Sequence, residues 1–381
     1  FCIGVCNGFA IPVAQTFGAK DFSNLKKYIT NGAIVAVVFA AVMTVIVGIF
    51  TRQILIAMDT PEGILDQAYA YIFIIFMGIP AAFLYNLVSG ILRSLGDSVT
   101  PVIFLIFSSV LNVILDLLLV SPLGVSGAGY ATVISQAISG VICLLYMAKK
   151  YQSLNFQKED WRFSARHALK LCSMGVPMGL QYSITAIGSV ILQAAVNSMG
   201  EVIVAAVTAG SRISMLACCP FDAMGSTMAT FGGQNVGAGR LDRVDRGLKD
   251  CTKLGVIYAV AAFVFMLIFG RRMALLFLDS PTEEIITYIY YFVVVNSAAY
   301  IPLALVNIVR FMIQGLGFST FAILAGVAEM AARAIAGFLL VPHFGYICVI
   351  LASPLAWLFA DAFLIPAYLH VMKKLRAQLN G

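Results

Sequence analysis

Charge is scarce in this sequence: Asp, Glu, Lys and Arg make up 11% of its 381 residues, against 61% hydrophobic residues. Soluble domains carry about a quarter charged residues. The shortage excludes a soluble globular chain, which could not bury so much apolar side chain. A bilayer can, because lipid solvates it directly, and the mean hydropathy of +0.95 agrees. Histidine is scarcer still. His167, His343 and His370 are far apart, and no H-E-x-x-H is present, so nothing supports a zinc site. Eight cysteines include no C-x-x-C pair; Cys2 and Cys6 come nearest and read as small helix-packing residues. Neither G-x-S-x-G nor an Asp-rich diphosphate motif occurs, so no enzyme and no cofactor are expected. The net charge of +6 sits at the ends of apolar runs and not on one solvated face, so no nucleic-acid partner is expected. No signal peptide is visible and the chain opens at Phe1 inside an apolar stretch, which reads as an N-terminally truncated sequence.

What the sequence does have is apolar runs of spanning length, roughly 17–25 residues. They fall near 31–50, 64–92, 100–121, 126–149, 168–198, 202–232, 251–270, 284–316, 320–341 and 346–370, with 1–17 as the end of another. The longer runs contain Pro80, Pro177, Pro220 and Pro302, where a membrane helix can kink. Of the 24 Lys and Arg residues, Arg212, Arg310 and Arg333 fall in or near spans, and eighteen of the rest gather at one set of run ends. Only Arg52, Arg271 and Arg272 fall at the other, beside Asp59, Glu62, Asp279, Glu283 and Glu284. The positive-inside rule then puts the larger set, and the C-terminus, in the cytoplasm.

The chain repeats itself. FAIPVAQTFGAKDFSNLKKY (9–28) matches MATFGGQNVGAGRLDRVDRG (228–247), FTRQILIAMDTPEG (50–63) matches FGRRMALLFLDSPTEE (269–284), and NLVSGILRSLG (86–96) matches NIVRFMIQGLG (307–317). The offset stays between 219 and 222 residues. Two copies in one orientation predict halves related by a pseudo-twofold along the membrane normal. The expected fold is an all-α polytopic membrane protein of two six-helix lobes, the first lacking its first helix and part of its second. The expected division is an N-lobe over 1–152, a cytoplasmic linker over 153–167, a C-lobe over 168–372 and a cytoplasmic tail over 373–381.

Polar residues inside the spans are the functional candidates, because a charge at mid-bilayer is costly unless paired, hydrated or neutralised. Ser108, Asn112 and Asp116 share one helix face at steps of four, and the next span carries Thr132, Ser135, Gln136 and Ser139. Carboxylate, amide and hydroxyl oxygens suit a hard cation; the plain alternative is a polar contact between helices. In the second half Glu329 and Arg333 lie one turn apart, which suits a neutralised pair. Trp357 and Asp361 repeat that spacing, and Asp361 could join the network or take protons. Gln181, Thr185, Ser189, Gln193 and Asn197 form one polar stripe, and Asp222, Ser226, Thr230 and Gln234 another. Either stripe could line a substrate cavity or pack helices, and a carboxylate at 222 would attract cationic substrates. Arg212 and Arg310 would by default reach for an interface.

PVAQTFGAKD, GILRSLGDSVTP, SVLNVILDLLLV followed by GVSGAGYATVISQ, and MATFGGQNVGAGRLDRV together resemble the multidrug and toxin extrusion (MATE) family across essentially the whole chain. The resemblance implies two lobes in a V around a central cavity in the plasma membrane. It also implies antiport: export of cationic or amphipathic compounds against inward Na⁺ or H⁺. Asn112, Asp116 and Thr132 match the family's N-lobe cation site, whose further acidic residue belongs to a first helix missing here. Thr185, and an apolar stretch near Pro302 and Leu303, stand where the NorM-like branch has carboxylates, which favours the DinF-like branch. The partners so implied are a small organic substrate and the bilayer, with no obligate protein partner. The competing class is a lipid-linked saccharide flippase of related fold, which would need several cavity cations to hold pyrophosphate.

Overall fold

A computed structural model describes residues 1–57, 60–278 and 281–380; Asp59 and Asp279 lie outside these. Among the described residues the regular structure is helical throughout: α1 (Cys2–Gly18), α2 (Phe22–Ala57), α3 (Glu62–Met77), α4 (Ile79–Ser94), α5 (Val99–Leu123), α6 (Val125–Lys150), α7 (Ala165–Asn197) and α8 (Glu201–Gly237). Then come α9 (Leu241–Ala274), α10 (Glu283–Ala298), α11 (Tyr300–Gly315), α12 (Thr320–Ile335), a π-helical segment over Ala336–Leu340, α13 (Val341–Phe344) and α14 (Tyr346–Asn380). Among the described residues eight apolar helices are long enough to cross a bilayer, and the bent pairs α3–α4 and α10–α11 bring the spans to ten. These ten correspond one for one to the ten apolar runs of the sequence.

The bends have a cause. α3 meets α4 at 42° and α10 meets α11 at 50°, just before Pro80 and Pro302. A proline there removes an intrahelical donor and its ring crowds the carbonyl four residues back. Pro177 and Pro220, equally expected to kink, lie inside α7 and α8, which run on without a break.

The structure carries the sequence repeat into packing. α4 packs on α1, α2 and α6, and α11 packs on α8, α9 and α14; α5 pairs with α6 as α12 pairs with α14. The turn between α5 and α6 uses Gly124 at φ 59°, ψ −141°, and the one before α14 uses Gly345 at φ 63°, ψ −140°. That backbone region is essentially closed to residues with a Cβ, so equal angles 221 positions apart fix the register of the two copies. α11 is buried along nearly its whole length, Tyr300 and Leu303 to Gly315, which makes it the central helix of its set. α4 holds the same place, with Leu87 to Leu92 buried.

Two compact units divide the chain, Cys2–Val176 and the part from Pro177 onward. The division falls inside α7 and not in the 153–167 connection that the sequence suggested. A Cβ on Gly8 would lie 2.4 Å from the Gly175 Cα, so only two glycines let α1 and the start of α7 approach this closely. The connection itself is tied to α2. Ser164 N–H donates to Asn31 Oδ1 at 2.8 Å, the Thr30 hydroxyl donates to the Asp160 carbonyl, and Lys26 pairs with the Asp160 carboxylate at 3.2 Å.

The Gln157 N–H and, behind it, the Lys26 ammonium hold the Asp160 carboxyl below the usual carboxylate range. A group whose folded pKa is depressed stabilises the fold above its unfolded value, and that contribution is lost as pH falls through the folded value. Amide protection over 152–164, measured against the intrinsic exchange rate at each pH, is therefore expected to be high at neutral pH and to fall below about pH 4. Protection that stays constant over that range would show that the carboxylate does not anchor the connection.

Candidate functional site in the helical units

The first polar cluster lies between α5 and α6. Because these helices are joined by the Gly124 turn, they run antiparallel and in contact from their first residues. Gly127 makes the contact close: a Cβ there would sit 2.2 Å from the Leu119 carbonyl oxygen. About a turn and a half further along α6, Thr132 faces α5, and the Asn112 amide donates to its hydroxyl at 3.4 Å. Thr132 itself donates to the Ala128 carbonyl at 3.0 Å. Ser108, one turn before Asn112, is 8% exposed. Asp116 follows one turn after, with a buried Oδ1 that has no hydrogen-bond partner. The Ser139 hydroxyl of α6 is buried and unpartnered as well. Elsewhere α5 turns Val102, Ile106, Val110, Val113 and Leu117 outward, as a helix against lipid should. A Gly127→Val substitution is expected to force α6 off α5 and lower the midpoint of thermal unfolding, overpacking of this kind costing about 1–3 kcal/mol. A midpoint equal to wild type would show that the contact is not needed.

The second cluster belongs to the unit that starts at Pro177. Glu329 of α12 is 2% exposed and accepts from Arg310 of α11. Arg333, one turn on, is 3.7 Å away from the other carboxylate oxygen. The pair expected from the spacing of Glu329 and Arg333 is thus a triad, and its tighter member is Arg310. The expectation that Arg310 would reach an interface is overturned: it is 3% exposed, because α11 is the buried central helix. The signal was present in the sequence, since Asn307, Arg310 and Gln314 fall on one helical face, but spacing could not tell whether that face looked inward.

The polar stripe of α7 divides. Gln181 is 4% exposed, and its amide oxygen accepts from Gln314 at 2.9 Å. The Thr185 carbonyl accepts from Arg333 at 3.5 Å, while its hydroxyl is buried and unpartnered. Both residues therefore belong to the polar interior around the triad. α7 packs this face on α11 and α12. Gln193 donates to Asn197 on its own helix at 2.9 Å and touches no other part of the cluster. Asp361 of α14 is 6% exposed with an unpartnered Oδ1. Asp222 stands apart, exposed on α8. Among the described residues it forms no ion pair. No three His, Cys, Asp or Glu side chains converge as a metal site among the described residues.

In the register set by Gly124 and Gly345, Ser108 corresponds to Glu329, Asn112 to Arg333 and Thr132 to Ser353. The two clusters therefore occupy corresponding places. One unit fills its place with its own cations, two guanidiniums against Glu329. The other has the buried Asp116 oxygen, which has no hydrogen-bond or ion-pair partner among the described residues.

The fold and these polar interiors define a multi-pass α-helical membrane protein. A family model described as MatE matches residues 1–118 and 177–339. The chain belongs to that family. Among curated proteins it is similar to the probable multidrug resistance protein YpnP of Bacillus subtilis, 30% identical over 74% of this chain and 63% of that one. It is also similar to an FAD transporter of Shewanella oneidensis, 23% identical over 80% of this chain and 69% of the other. The chain spans less than two thirds of the length of YpnP and of its Bacillus relative YoeA, 63% and 64%. Among solved structures, an outward-facing multidrug resistance MATE family transporter of the MOP superfamily superposes with a TM-score of 0.91 at 19% identity. That match covers 99% of this chain and 85% of the other.

Proposed function

We propose that this chain is the membrane body of a secondary transporter exporting small cationic or amphipathic organic compounds by alternating access, with inward Na⁺ or H⁺ as the driving ion. The observation that carries the reading is the buried, unpartnered Asp116 oxygen one turn from the Asn112–Thr132 contact. A carboxylate in a low dielectric is costly as a bare anion and is relieved by a bound cation or a proton. Asn112, Asp116 and Thr132 would hold that ion with amide, carboxylate and hydroxyl oxygens, as a hard cation prefers. Asp222, exposed on α8, would add a negative charge that favours cationic substrates. The chain would lie in the plasma membrane with its C-terminus in the cytoplasm, in keeping with the excess of Lys and Arg at one set of helix ends.

A lipid-linked saccharide flippase is disfavoured. Two of the three cations in spans, Arg310 and Arg333, are committed to Glu329, which leaves Arg212 alone to hold a pyrophosphate. The deciding experiment uses the purified protein in liposomes with an imposed Na⁺ or pH gradient and two fluorescent cargoes, an organic cation and FAD. Gradient-dependent movement of the organic cation supports the reading. Movement of FAD alone would reassign the substrate to an anion, and movement of neither cargo under both gradients would sink the proposal.

A further inference from the structure

The first unit carries a lined space that the transport reading does not use. A cavity of about 430 Å³ opens between α2, α4, α6 and the 152–161 connection. Its walls are Ile29 and Ala33 of α2, Leu84 and Ile91 of α4, and Met147 of α6. A second cavity of about 250 Å³ shares Ala33, Leu84 and Leu87 and continues along α2 to Ala41, beside Pro80. The two lie next to each other along α2, with three wall residues in common, and their walls together make the lining of an apolar groove. From Ile29 to Ala41 the helix rises about 18 Å at 1.5 Å per residue, close to the depth of one leaflet, about 15 Å.

One end of the groove is cationic and aromatic. Tyr151, Phe156 and Trp161 close it, and such rings favour the membrane–water boundary. Lys150, paired with Asp97 at 2.6 Å, stands over the Tyr151 ring at 5.8 Å, and Lys26, paired with Asp160, reaches the Asn155 carbonyl at 3.5 Å. Lys149, Lys158 and Arg162 nearby are exposed and form no ion pair among the described residues.

The fold does not by itself demand this groove. In the second unit the positions of Leu87, Ile91, Met147 and Tyr151 are taken by Ile308, Met312, Tyr368 and Met372, all packed in one hydrophobic core. The Tyr368 hydroxyl there donates to Asp245 at 3.0 Å, and Asp245 occupies the position of Lys26 in the repeat. The equivalent place is closed, and the Asp245 carboxylate at its mouth is paired with Arg376.

We propose that the groove between α2, α4 and α6 holds one acyl chain of an anionic phospholipid, whose phosphate rests among the lysines and arginine at the 149–162 end. A chain spanning one leaflet fills the apolar length, and an anionic headgroup complements the uncompensated cations at the mouth.

Trp161 lines the groove and Trp357 is the only other tryptophan of the sequence, which makes the site readable. The full chain carrying Trp357→Phe would be placed in vesicles of phosphatidylcholine containing either phosphatidylglycerol or phosphatidylcholine with brominated acyl chains. Brominated phosphatidylglycerol is expected to quench Trp161 at lower mole fraction than brominated phosphatidylcholine. Native mass spectrometry of the wild-type chain should show one phosphatidylglycerol retained through detergent exchange. Met147→Tyr, which copies the closed unit, should lose the retained lipid. The combined Lys149→Gln, Lys158→Gln and Arg162→Gln variant tests the mouth without touching the core. It should lose the preference for phosphatidylglycerol while keeping quenching by either lipid. Equal quenching of the unsubstituted mouth by both lipids would overturn the proposal. So would a lipid retained unchanged by Met147→Tyr, which would place it elsewhere.

Discussion

Asp116→Asn is expected to reduce gradient-driven substrate movement in liposomes to the level of protein-free vesicles, while the protein remains as stable to heat as the wild type or more so. Two facts set this combination. The Asp116 oxygen that faces the interior is buried without a hydrogen-bond partner among the described residues. Removing such a charge relieves a desolvation penalty and breaks no ion pair. The same substitution takes away the negative charge that would hold Na⁺ and the site that would accept a proton, so either form of coupling should fail. Asn112→Ala is the graded companion. It removes the amide that contacts Thr132 at 3.4 Å but leaves the carboxylate. Coupling should persist and require a steeper ion gradient. A coupled Asp116→Asn protein would remove Asp116 from the mechanism. A sharp fall in its thermal midpoint would instead make Asp116 a structural group.

Glu329→Gln is expected to be the most destabilising conservative change in the second unit. Glu329 is paired with Arg310 and Arg333, and the three are 2%, 3% and 6% exposed. Neutralising the carboxylate leaves two buried guanidiniums facing each other, with Asp361 as the remaining anion in reach. Breaking a buried pair from one side costs about 3–5 kcal/mol, whereas replacing a whole triad by apolar side chains of similar size is often neutral or stabilising. The triple change Arg310→Met, Glu329→Met and Arg333→Met should therefore recover most of what Glu329→Gln loses. Thermal unfolding in detergent followed by size-exclusion chromatography would measure both. The pairing assignment is falsified if Glu329→Gln melts with the wild type. Transport by the triple variant then separates roles: activity kept makes the triad a packing device, and activity lost at full stability makes it part of the transport cycle.

The sequence by itself determined the class, the ten spans and the repeat. Each follows from a physical requirement that acts locally. A bilayer demands a minimum apolar length, and duplicated chains leave a constant offset; which prolines bend a helix was left to the structure, since Pro80 and Pro302 do and Pro177 and Pro220 do not break theirs. The polar face Ser108–Asn112–Asp116 was legible for the same reason, because steps of four on a helix must share a side. What only the tertiary structure decided is which faces meet. Arg310 looks like a snorkelling arginine until α11 proves to be the buried helix of its unit, and then it becomes the tighter partner of Glu329. The contacts of Gln181 with Gln314 and of the Thr185 carbonyl with Arg333 likewise depend on how α7 meets α11 and α12. The close approach of α1 and the start of α7 needs Gly8 to meet Gly175, two residues that mean nothing separately. Spacing gives the side of a helix a residue occupies. The rotation of that helix against its neighbours, set by the sum of its packing contacts, decides whether a charge finds a partner, as Glu329 does, or is left without one, as Asp116 is.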